Sequence, residues 1–519
     1  MSAANLIERI VNYPAEFIWT FFLAFFWLEL WTIFEWGGCR EYNQRMATRD
    51  CMSPDFLHPV WGKVALSVPS TGRLLNSSGE MLDGAQTVAE AKLKTGDALT
   101  LHVRQVQLKA RRKDGGSRAF AAILSDGSAV TWGSAGLGGD SSAQDQLRDV
   151  QQIQASNLAF AAILGTGSVV TWGFAPEGGD SSAVQAQLRD VRQIQASVAA
   201  FAAILGDGSV VTWGRAEFGG DSTVVQEKLR DVQKIQASYN AFAAILGDGS
   251  VITWGHADFG GDSSAVQDQL RDVQCIQASR RAFAAILGDG SVVTWGFAAE
   301  GGDSSAVQEQ LRDVQQIQAC VLAFAAVLDN GSVVTWGRAD PGGDSGAVQI
   351  QLRDVQQIQA SDCAFAAILG NGSVVTWGRA DHGGDSDAVQ SQLRDVQQIQ
   401  ASNLAFAAIL GDGSVVAWGD ADCGGDSSAV QEQLKNVRQI QASDGAFAAI
   451  LGGGSVVTWG DDDIGGDSSA VQDQLRDVQC IQASRRAFAA ILGDGSVVTW
   501  GDADNGGDST AAQDQLRDV

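Results

Sequence analysis

The chain has 519 residues, of which 45% are hydrophobic, and it carries a formal net charge of −26. Residues 1–106 hold 9 Lys and Arg against 11 Asp and Glu, a net charge of −2, which leaves −24 for residues 107–519. A surface of this sign repels phosphate backbones, so we expect no nucleic-acid partner.

The first predicted element is a hydrophobic helix at residues 17–36, inside an N-terminal region at residues 1–59. Its run Phe17–Phe34 is interrupted only by Glu29, and a central acidic residue costs roughly 2 to 3 kcal/mol in a bilayer. Three interpretations stay open: a membrane-spanning helix, an interfacial or buried hydrophobic helix, and a non-native start to the reading frame. Because Arg40, Arg45 and Arg49 follow, insertion would leave the rest of the chain on the cytoplasmic face. Without insertion we expect a cytoplasmic protein.

The next segment, Ser78–Val103, contains an Asp-Gly turn, a Thr87-capped stretch and an alternating Ala-Leu-Thr-Leu-His-Val run. This order resembles the C-terminal half of a ubiquitin-like fold, in which a turn and a short helical segment lead into a final strand. We therefore interpret residues 60–106 as a partial ubiquitin-like domain with α+β structure.

Residues 107–519 are dominated by an internal repeat marked by Trp-Gly. Its tryptophans are separated by 40 residues once and by 41 thereafter; they are Trp132, Trp172, Trp213, Trp254, Trp295, Trp336, Trp377, Trp418, Trp459 and Trp500. Ten copies of one unit predict a repeat domain in which each unit packs on its neighbours.

One copy shows how the unit is expected to fold. Residues 232–237 alternate apolar and polar residues, which predicts a strand with one buried face. Residues 241–246 and 250–254 are β-prone runs separated by Gly-Asp-Gly, which predicts a hairpin with a tight turn. Ser264 and Gln267 form a capping-box pattern that predicts a short helix. The unit is therefore expected to contain three strands and a short helix.

The expected fold class is all-β, a propeller-like tandem array, because no single unit can bury its own sheet. Ten tryptophans at one position predict core packing between sheets rather than ligand recognition.

The succession Val-x-x-Ile-x-Ala, Ala-Phe-Ala-Ala-Ile-Leu, Asp-Gly-Ser-Val-Val-Thr-Trp-Gly and Gly-Gly-Asp resembles the regulator-of-chromosome-condensation (RCC-type) repeat. The resemblance implies a β-propeller that binds proteins. The units here are shorter than the family's, ten replace its usual seven, and Gly-Gly-Asp-Ser replaces its Gly-Gln-Leu-Gly tail. A closed ring and an open solenoid therefore both stay open.

The residues that could support catalysis or metal binding are scattered. Histidines occur at 58, 102, 256 and 382, and the seven cysteines include no CxxC pair. Such spacing matches neither a nucleophile–base arrangement nor a zinc site. We expect no enzymatic activity, no cofactor and no metal.

The positions that change between copies indicate where specificity would be encoded, although drift at exposed sites is the competing interpretation. The residue after Trp-Gly is Ser134, Phe174, Arg215, His256, Phe297, Arg338, Arg379, Asp420, Asp461 and Asp502 in turn. The pair before Ala-Phe is Asn157-Leu158, Val198-Ala199, Tyr239-Asn240, Arg280-Arg281, Val321-Leu322, Asp362-Cys363, Asn403-Leu404, Asp444-Gly445 and Arg485-Arg486.

The predicted partner-binding residues are cations and aromatic side chains at these positions, because guanidinium groups bind carboxylates in bidentate fashion. They are Arg215, Tyr239, His256, Arg280, Arg281, Arg338, Arg379, Arg485 and Arg486. The predicted function is a non-catalytic protein-interaction scaffold. Two alternatives follow from the RCC resemblance: the non-catalytic portion of a HERC-like ubiquitin ligase, with a ubiquitin-pathway partner, or a guanine-nucleotide exchange factor for a small GTPase.

Overall fold

The computed structural model of the chain describes residues 106–111, 116–140 and 144–516, together with the backbone of four earlier strands. Those strands, β1 (Tyr42–Ala47), β2 (Arg73–Leu75), β3 (Met81–Leu82) and β4 (Ala98–Val103), form an antiparallel sheet in the order β1-β4-β2-β3. The final strand predicted for the ubiquitin-like segment is β4. The helix predicted at 17–36 and the Thr87-capped stretch lie outside the described residues, so the ubiquitin-like interpretation stays a prediction.

Each repeat forms one three-stranded antiparallel sheet, as predicted, and its second strand lies in the middle. Sheets 1 to 5 are β5 (Gln107–Lys109), β6 (Ala119–Ile123), β7 (Ala129–Gly133); β8 (Val150–Ala155), β9 (Ala159–Leu164), β10 (Val169–Gly173); β11 (Val191–Ala196), β12 (Ala200–Leu205), β13 (Val210–Gly214); β14 (Val232–Ala237), β15 (Ala241–Leu246), β16 (Val251–Gly255); and β17 (Val273–Ala278), β18 (Ala282–Leu287), β19 (Val292–Gly296).

Sheets 6 to 10 repeat the arrangement. They are β20 (Val314–Ala319), β21 (Ala323–Leu328), β22 (Val333–Gly337); β23 (Val355–Ala360), β24 (Ala364–Leu369), β25 (Val374–Gly378); β26 (Val396–Ala401), β27 (Ala405–Leu410), β28 (Val415–Gly419); β29 (Val437–Ala442), β30 (Ala446–Leu451), β31 (Val456–Gly460); and β32 (Val478–Ala483), β33 (Ala487–Leu492), β34 (Val497–Gly501).

Short helical turns connect the sheets. After the third strands they span Ala135–Leu137, Ala175–Glu177, Ala216–Phe218, Ala257–Phe259, Ala298–Glu300, Ala339–Gly343, Ala380–His382, Ala421–Gly425, Asp462–Ile464 and Ala503–Asn505. Further along some repeats they span Gln144–Gln146, Gln226–Lys228, Gln308–Gln310 and Thr510–Ala512.

The hairpin of each sheet lies where Gly-Asp-Gly, or the variant of it in that repeat, predicted a tight turn. In sheet 4 the pairing of Ile245 with Val251 leads into the turn, and Gly249 has a φ of 76°. A left-handed residue at this place suits glycine, which has no Cβ to clash. Asp248 completes the turn by accepting hydrogen bonds from Ser250 N and Oγ at 2.9 and 2.6 Å.

The middle strands are buried on both faces, which explains their unbroken apolar sequence Ala-Phe-Ala-Ala-Ile. A strand with neighbours on both faces has no solvent side to require alternation. Each hydrophobic cluster combines one sheet with the next; Ala241 and Ala243 of sheet 4, for example, pack with Phe283 and Trp295 of sheet 5. The small alanines face the large aromatic rings of the neighbouring sheet, so the sheets interdigitate.

The repeated tryptophan joins neighbouring sheets, which confirms its predicted place in the core. All ten Trp-Gly tryptophans are only 2–5% exposed. Trp295 stacks on Phe283 with centroids 5.2 Å apart, and its Nε1 donates a hydrogen bond of 3.0 Å to the carbonyl of Gly260 in the preceding repeat. The indole therefore fills the space between sheets and also satisfies a backbone acceptor there.

The tenth repeat contacts the first through the same set of interactions. Trp132 of sheet 1 donates its Nε1 hydrogen bond to Gly506 at 3.0 Å, and Phe120 lies against that glycine. Leu516 and Ala489 share a hydrophobic cluster with Leu108 and Phe120. The residues that mediate this contact are thus equivalent to those between consecutive repeats.

The predicted capping box between Ser264 and Gln267 is wrong. The hydroxyl of Ser263, not of Ser264, donates to Gln267 Oε1 at 2.9 Å, and Gln267 Nε2 donates to the carbonyl of Val251 at 2.8 Å. Ser264 N instead donates to Asp262. The segment folds as a turn because Gln267 bonds to the outer edge of the third strand, where it satisfies a carbonyl that has no fourth strand.

Candidate partner-binding face

The three variable positions of each repeat lie together at the end of the sheet opposite the hairpin. We call the residues of the pair the first and second positions, and the residue after Trp-Gly the third position. The third-position N–H donates to the second-position carbonyl of its own repeat; Phe297 N, for example, lies 2.9 Å from Arg281 O. We call this end of the sheets the variable end.

A chain of backbone hydrogen bonds joins the first positions of successive repeats. Tyr239 N donates to Arg280 O, and Arg280 N donates to Val321 O, each at 3.1 Å. The same bond recurs from Asn157 through to Arg485, whose N–H approaches Ser117 O of the first repeat at 3.4 Å. Residues separated by 41 in sequence are therefore neighbours along one continuous surface.

The variable end of repeats 4 and 5 carries a ladder of cations and rings, which we call the arginine–aromatic cluster: Tyr239, Phe259, Arg280, Arg281 and Phe297. The guanidinium of Arg280 lies 4.7 Å from the Tyr239 ring centroid, and Tyr239 stacks on Phe259 at 6.1 Å. Arg281 lies between two rings, 4.9 Å from Phe259 and 3.9 Å from Phe297. Contacts of this kind are worth about 0.5–1 kcal/mol at exposed sites and hold the groups in place.

Two further predicted residues flank the cluster. His256 is exposed and packs edge-on against Phe259, with centroids 5.3 Å apart, and its Nδ1 accepts a hydrogen bond from Asp258 N. Arg215 lies over Phe218 at 4.9 Å and faces Glu217 at 3.5 Å and Glu177 at 3.9 Å. Burial raises the pKa of the Glu177 carboxyl above its usual value, and Arg215 partly opposes that shift.

Most of the predicted arginines already face carboxylates of the same chain. Arg281 is 3.5 Å from Glu300, and Arg379 bonds both oxygens of Asp381 at 3.0 and 2.5 Å. Arg485 pairs with Asp444 and Arg486 pairs with Asp502, both at 3.2 Å. The most exposed of these pairs, Arg379 with Asp381, contributes little to stability.

Arg280 and Arg338 differ from these arginines. Both are exposed, and within the described residues neither guanidinium has a carboxylate oxygen inside 4.0 Å. Their backbone N–H groups donate to Val321 O and Leu322 O, two consecutive half-buried residues. The guanidinium groups of Arg280 and Arg338 therefore lie on either side of the apolar residues Val321 and Leu322.

A recess of about 90 Å³ opens beside the first positions of repeats 5 to 8. Its wall includes Arg280, Val321, Asp362 and Asn403. Nearby thiols are protonated at neutral pH, because burial raises the pKa of Cys320 to about 12 and that of Cys363 to about 11. The recess thus offers polar and apolar contacts without a thiolate nucleophile.

Two aromatic partners of the predicted arginines, Phe218 and Phe259, were not predicted from the sequence. Both occupy the position before Gly-Gly, where the other repeats have Leu, Glu, Pro, His, Cys, Ile or Asn. The sequence did indicate them, because each lies three residues after the residue that follows Trp-Gly. This spacing allows the ring to lie against the variable pair. Among the residues that the structure describes, no group of three or more His, Cys, Asp or Glu is arranged to hold a metal.

No family model matches the chain, and no curated protein matches it. Among solved structures, the computationally designed protein Ika8 aligns over 60% of this chain and 96% of its own, with 13% identity and a TM-score of 0.29. The CRINKLY WD40 ectodomain of the Arabidopsis thaliana receptor kinase ACR4 aligns over 61% and 97%, with 16% identity and a TM-score of 0.29. Prp20p from Saccharomyces cerevisiae, whose structure was described with its binding to Gsp1p and histones, aligns over 56% and 80%, with 14% identity and a TM-score of 0.31.

Proposed function

We propose that the chain is a non-catalytic protein-binding scaffold, in which ten sheets form a closed ring and the variable end binds partners. The observation that carries the proposal is the separation of roles within each repeat. The sheet interior is nearly the same from copy to copy, whereas the positions that differ most in charge and size lie at one end on a continuous hydrogen-bonded surface. A rigid frame with changeable surface residues is the arrangement by which repeat proteins bind partners.

Ring closure is supported by the contact between the last and first repeats. Trp132 contacts Gly506 as Trp295 contacts Gly260, with the same 3.0 Å hydrogen bond. A ring protects its sheets from pairing with other chains at an open end. It also places the first positions in a circle, so that a partner can contact several repeats at once.

Two variants of the full chain test the proposal. The first changes the variable end, Tyr239→Ser with Arg280→Ser and Phe297→Ser. The second changes the hairpin end of the same repeats, Asp248→Ser with Asp289→Ser. Partners isolated with the parent chain from source cells are mapped on it by hydrogen exchange.

The expected result is amide protection at residues 239–240, 280–281 and 297, with the partner lost from the first variant and retained by the second. Protection confined to the hairpin turns, or loss of the partner only in the second variant, would contradict the proposed binding face.

A further inference from the structure

The arginine–aromatic cluster is preorganised on one part of the variable end. Arg281 is held between the rings of Phe259 and Phe297, and Arg280 lies on Tyr239. Phe297 is 36% exposed, and it is one of four large hydrophobic side chains that are exposed in the described part of the chain. Tyrosine and arginine are, with tryptophan, the residue types most enriched among the residues that dominate binding energy at protein interfaces. Because these side chains already contact one another, less side-chain entropy is lost on binding than for isolated exposed side chains.

The charge at this place is available for a partner. Arg281 is matched by Glu300, whereas Arg280 and Arg338 have no carboxylate within 4.0 Å in the described residues. A guanidinium stacked on an aromatic ring keeps its N–H edge open for a bidentate acceptor. The complementary group on a partner is therefore a carboxylate.

The apolar surface lies beside that charge. Val321 and Leu322 are half-buried, and their carbonyls bond to the N–H groups of Arg280 and Arg338. Together with Phe297 and Tyr239, they give an apolar surface on both sides of the Arg280 backbone. A ligand that contacts both features needs a carboxylate next to an aromatic or branched aliphatic side chain.

Electrostatics limit how acidic the ligand can be. Asp362 lines the same recess as Arg280, and the chain has a net charge of −26. A polyanion such as a nucleic acid would meet this field along its whole length, whereas a single carboxylate needs only the local guanidinium groups.

We propose that the arginine–aromatic cluster, with Arg338, binds an extended peptide segment of a partner protein that carries one or two carboxylates beside an aromatic or branched aliphatic side chain. This inference rests on the proposed function and specifies the class of partner for one part of the variable end. The segment's carboxylate contacts Arg280 or Arg338, and its apolar side chain lies on Phe297 or on Val321 and Leu322.

The test is selection from a random eight-residue peptide library on the immobilised full-length chain. The matched variants are Arg280→Gln with Arg338→Gln, which removes the two charges, and Arg271→Gln, which removes an exposed arginine from another loop. All three proteins should melt alike, because the substituted side chains are exposed. The most enriched peptide is then resynthesised, and its Kd is measured by fluorescence polarisation.

The expected result is enrichment of Asp or Glu next to Phe, Tyr, Trp, Leu or Ile, with a Kd at least about tenfold weaker in the double variant and unchanged in Arg271→Gln. A tenfold loss corresponds to about 1.4 kcal/mol. Replacing the peptide's carboxylates with amides should weaken binding to the parent chain by a similar factor.

Enrichment of basic or uncharged peptides, failure to enrich any sequence, or equal binding to both variants would overturn the inference. If partners nevertheless map to the variable end by hydrogen exchange, the proposed function stands and only the class of ligand is wrong. If the partners map to the hairpin turns instead, both the proposed binding face and this inference are wrong.

Discussion

The sheet interior and the variable end use the same backbone under different constraints. In the interior, Trp295, Phe283 and Gly260 contact one another across two repeats, so a change in one requires changes in the others. At the variable end, Phe297 lies only two residues after Trp295, yet it is 36% exposed where the tryptophan is 4% exposed. Two residues of chain therefore separate a position fixed by packing from an exposed position that differs from repeat to repeat.

The largest expected effect is the loss of the interior tryptophan. Trp295→Ala should lower the free energy of unfolding by about 3 to 5 kcal/mol, because it leaves a cavity and an unsatisfied Gly260 carbonyl. Phe297→Ala is the matched control and should change stability by less than about 1 kcal/mol. Chemical denaturation of the two variants measures both values. Equal losses would mean that the two positions are not distinct environments.

The next effect tests the close approach between repeats. Gly260 has a φ of 88°, and a Cβ on it would lie 2.5 Å from Phe283 Cδ2. Gly260→Ala should therefore destabilise the chain by more than about 1 kcal/mol. Gly453→Ala is the control, since nothing lies within 4 Å of its added Cβ, and it should melt as the parent does. A Gly260→Ala chain that melts like the control would show that neighbouring repeats are loosely packed.

A smaller effect is expected at the outer edge of the third strand. Gln267→Ala removes the 2.8 Å hydrogen bond to Val251 O and should cost about 1 kcal/mol. Gln269→Ala, an exposed position in the same turn, should leave the melting temperature unchanged. Thermal melts of the two variants compare them directly. If Gln267→Ala also leaves the melting temperature unchanged, water replaces the Gln267 amide as the hydrogen-bond donor to the Val251 carbonyl, and the strand edge does not depend on this side chain.

The smallest effect concerns the hairpin end and pH. The hydrogen bonds from the Ser250 hydroxyl and backbone N–H hold the pKa of Asp248 below its ordinary 3.8. A lowered folded pKa gives stabilisation that is present above the unfolded pKa and is lost as pH falls through the folded value. Asp248→Asn should therefore melt nearly as the parent does at neutral pH and lose less stability below pH 3.8.

Two other repeats of the chain already have asparagine at the position of Asp248. Asn330 and Asn371 occupy the same turn position and accept the equivalent bonds from Ser332 and Ser373 at 2.7 to 2.9 Å. An identical acid sensitivity in the parent and in Asp248→Asn would exclude this turn as a source of pH dependence.

Much of the fold followed from the sequence because packing and turn chemistry repeat with the same period. The spacing of tryptophan and the Gly-Asp-Gly turns, with their variants in five of the repeats, predicted ten sheets and their hairpins correctly. The contact of Trp132 with Gly506 could not be predicted, because the angle between neighbouring sheets depends on how Ala and Phe side chains interdigitate, not on spacing.

The candidate site was predictable in position and less so in its interactions. The variable positions indicated one surface, and the backbone bonds join them there. The partners of Arg281 were missed because Phe259 and Glu300 come from loop positions of two different repeats. Charge alone suggested open guanidinium groups, whereas the structure shows that neighbouring carboxylates and rings occupy most of them.

The equivalence of the Trp132–Gly506 contact to the other nine has a consequence for the order of the repeats. If the contacts between all neighbouring repeats are interchangeable, the order of the repeats in the sequence determines where each repeat lies around the proposed ring. Exchanging two whole repeats would then move their three variable residues to another sector while the frame stays intact. A chain with shuffled repeats should fold like the parent and present the same side chains in a new circular order, so that partner choice depends on arrangement as well as on composition.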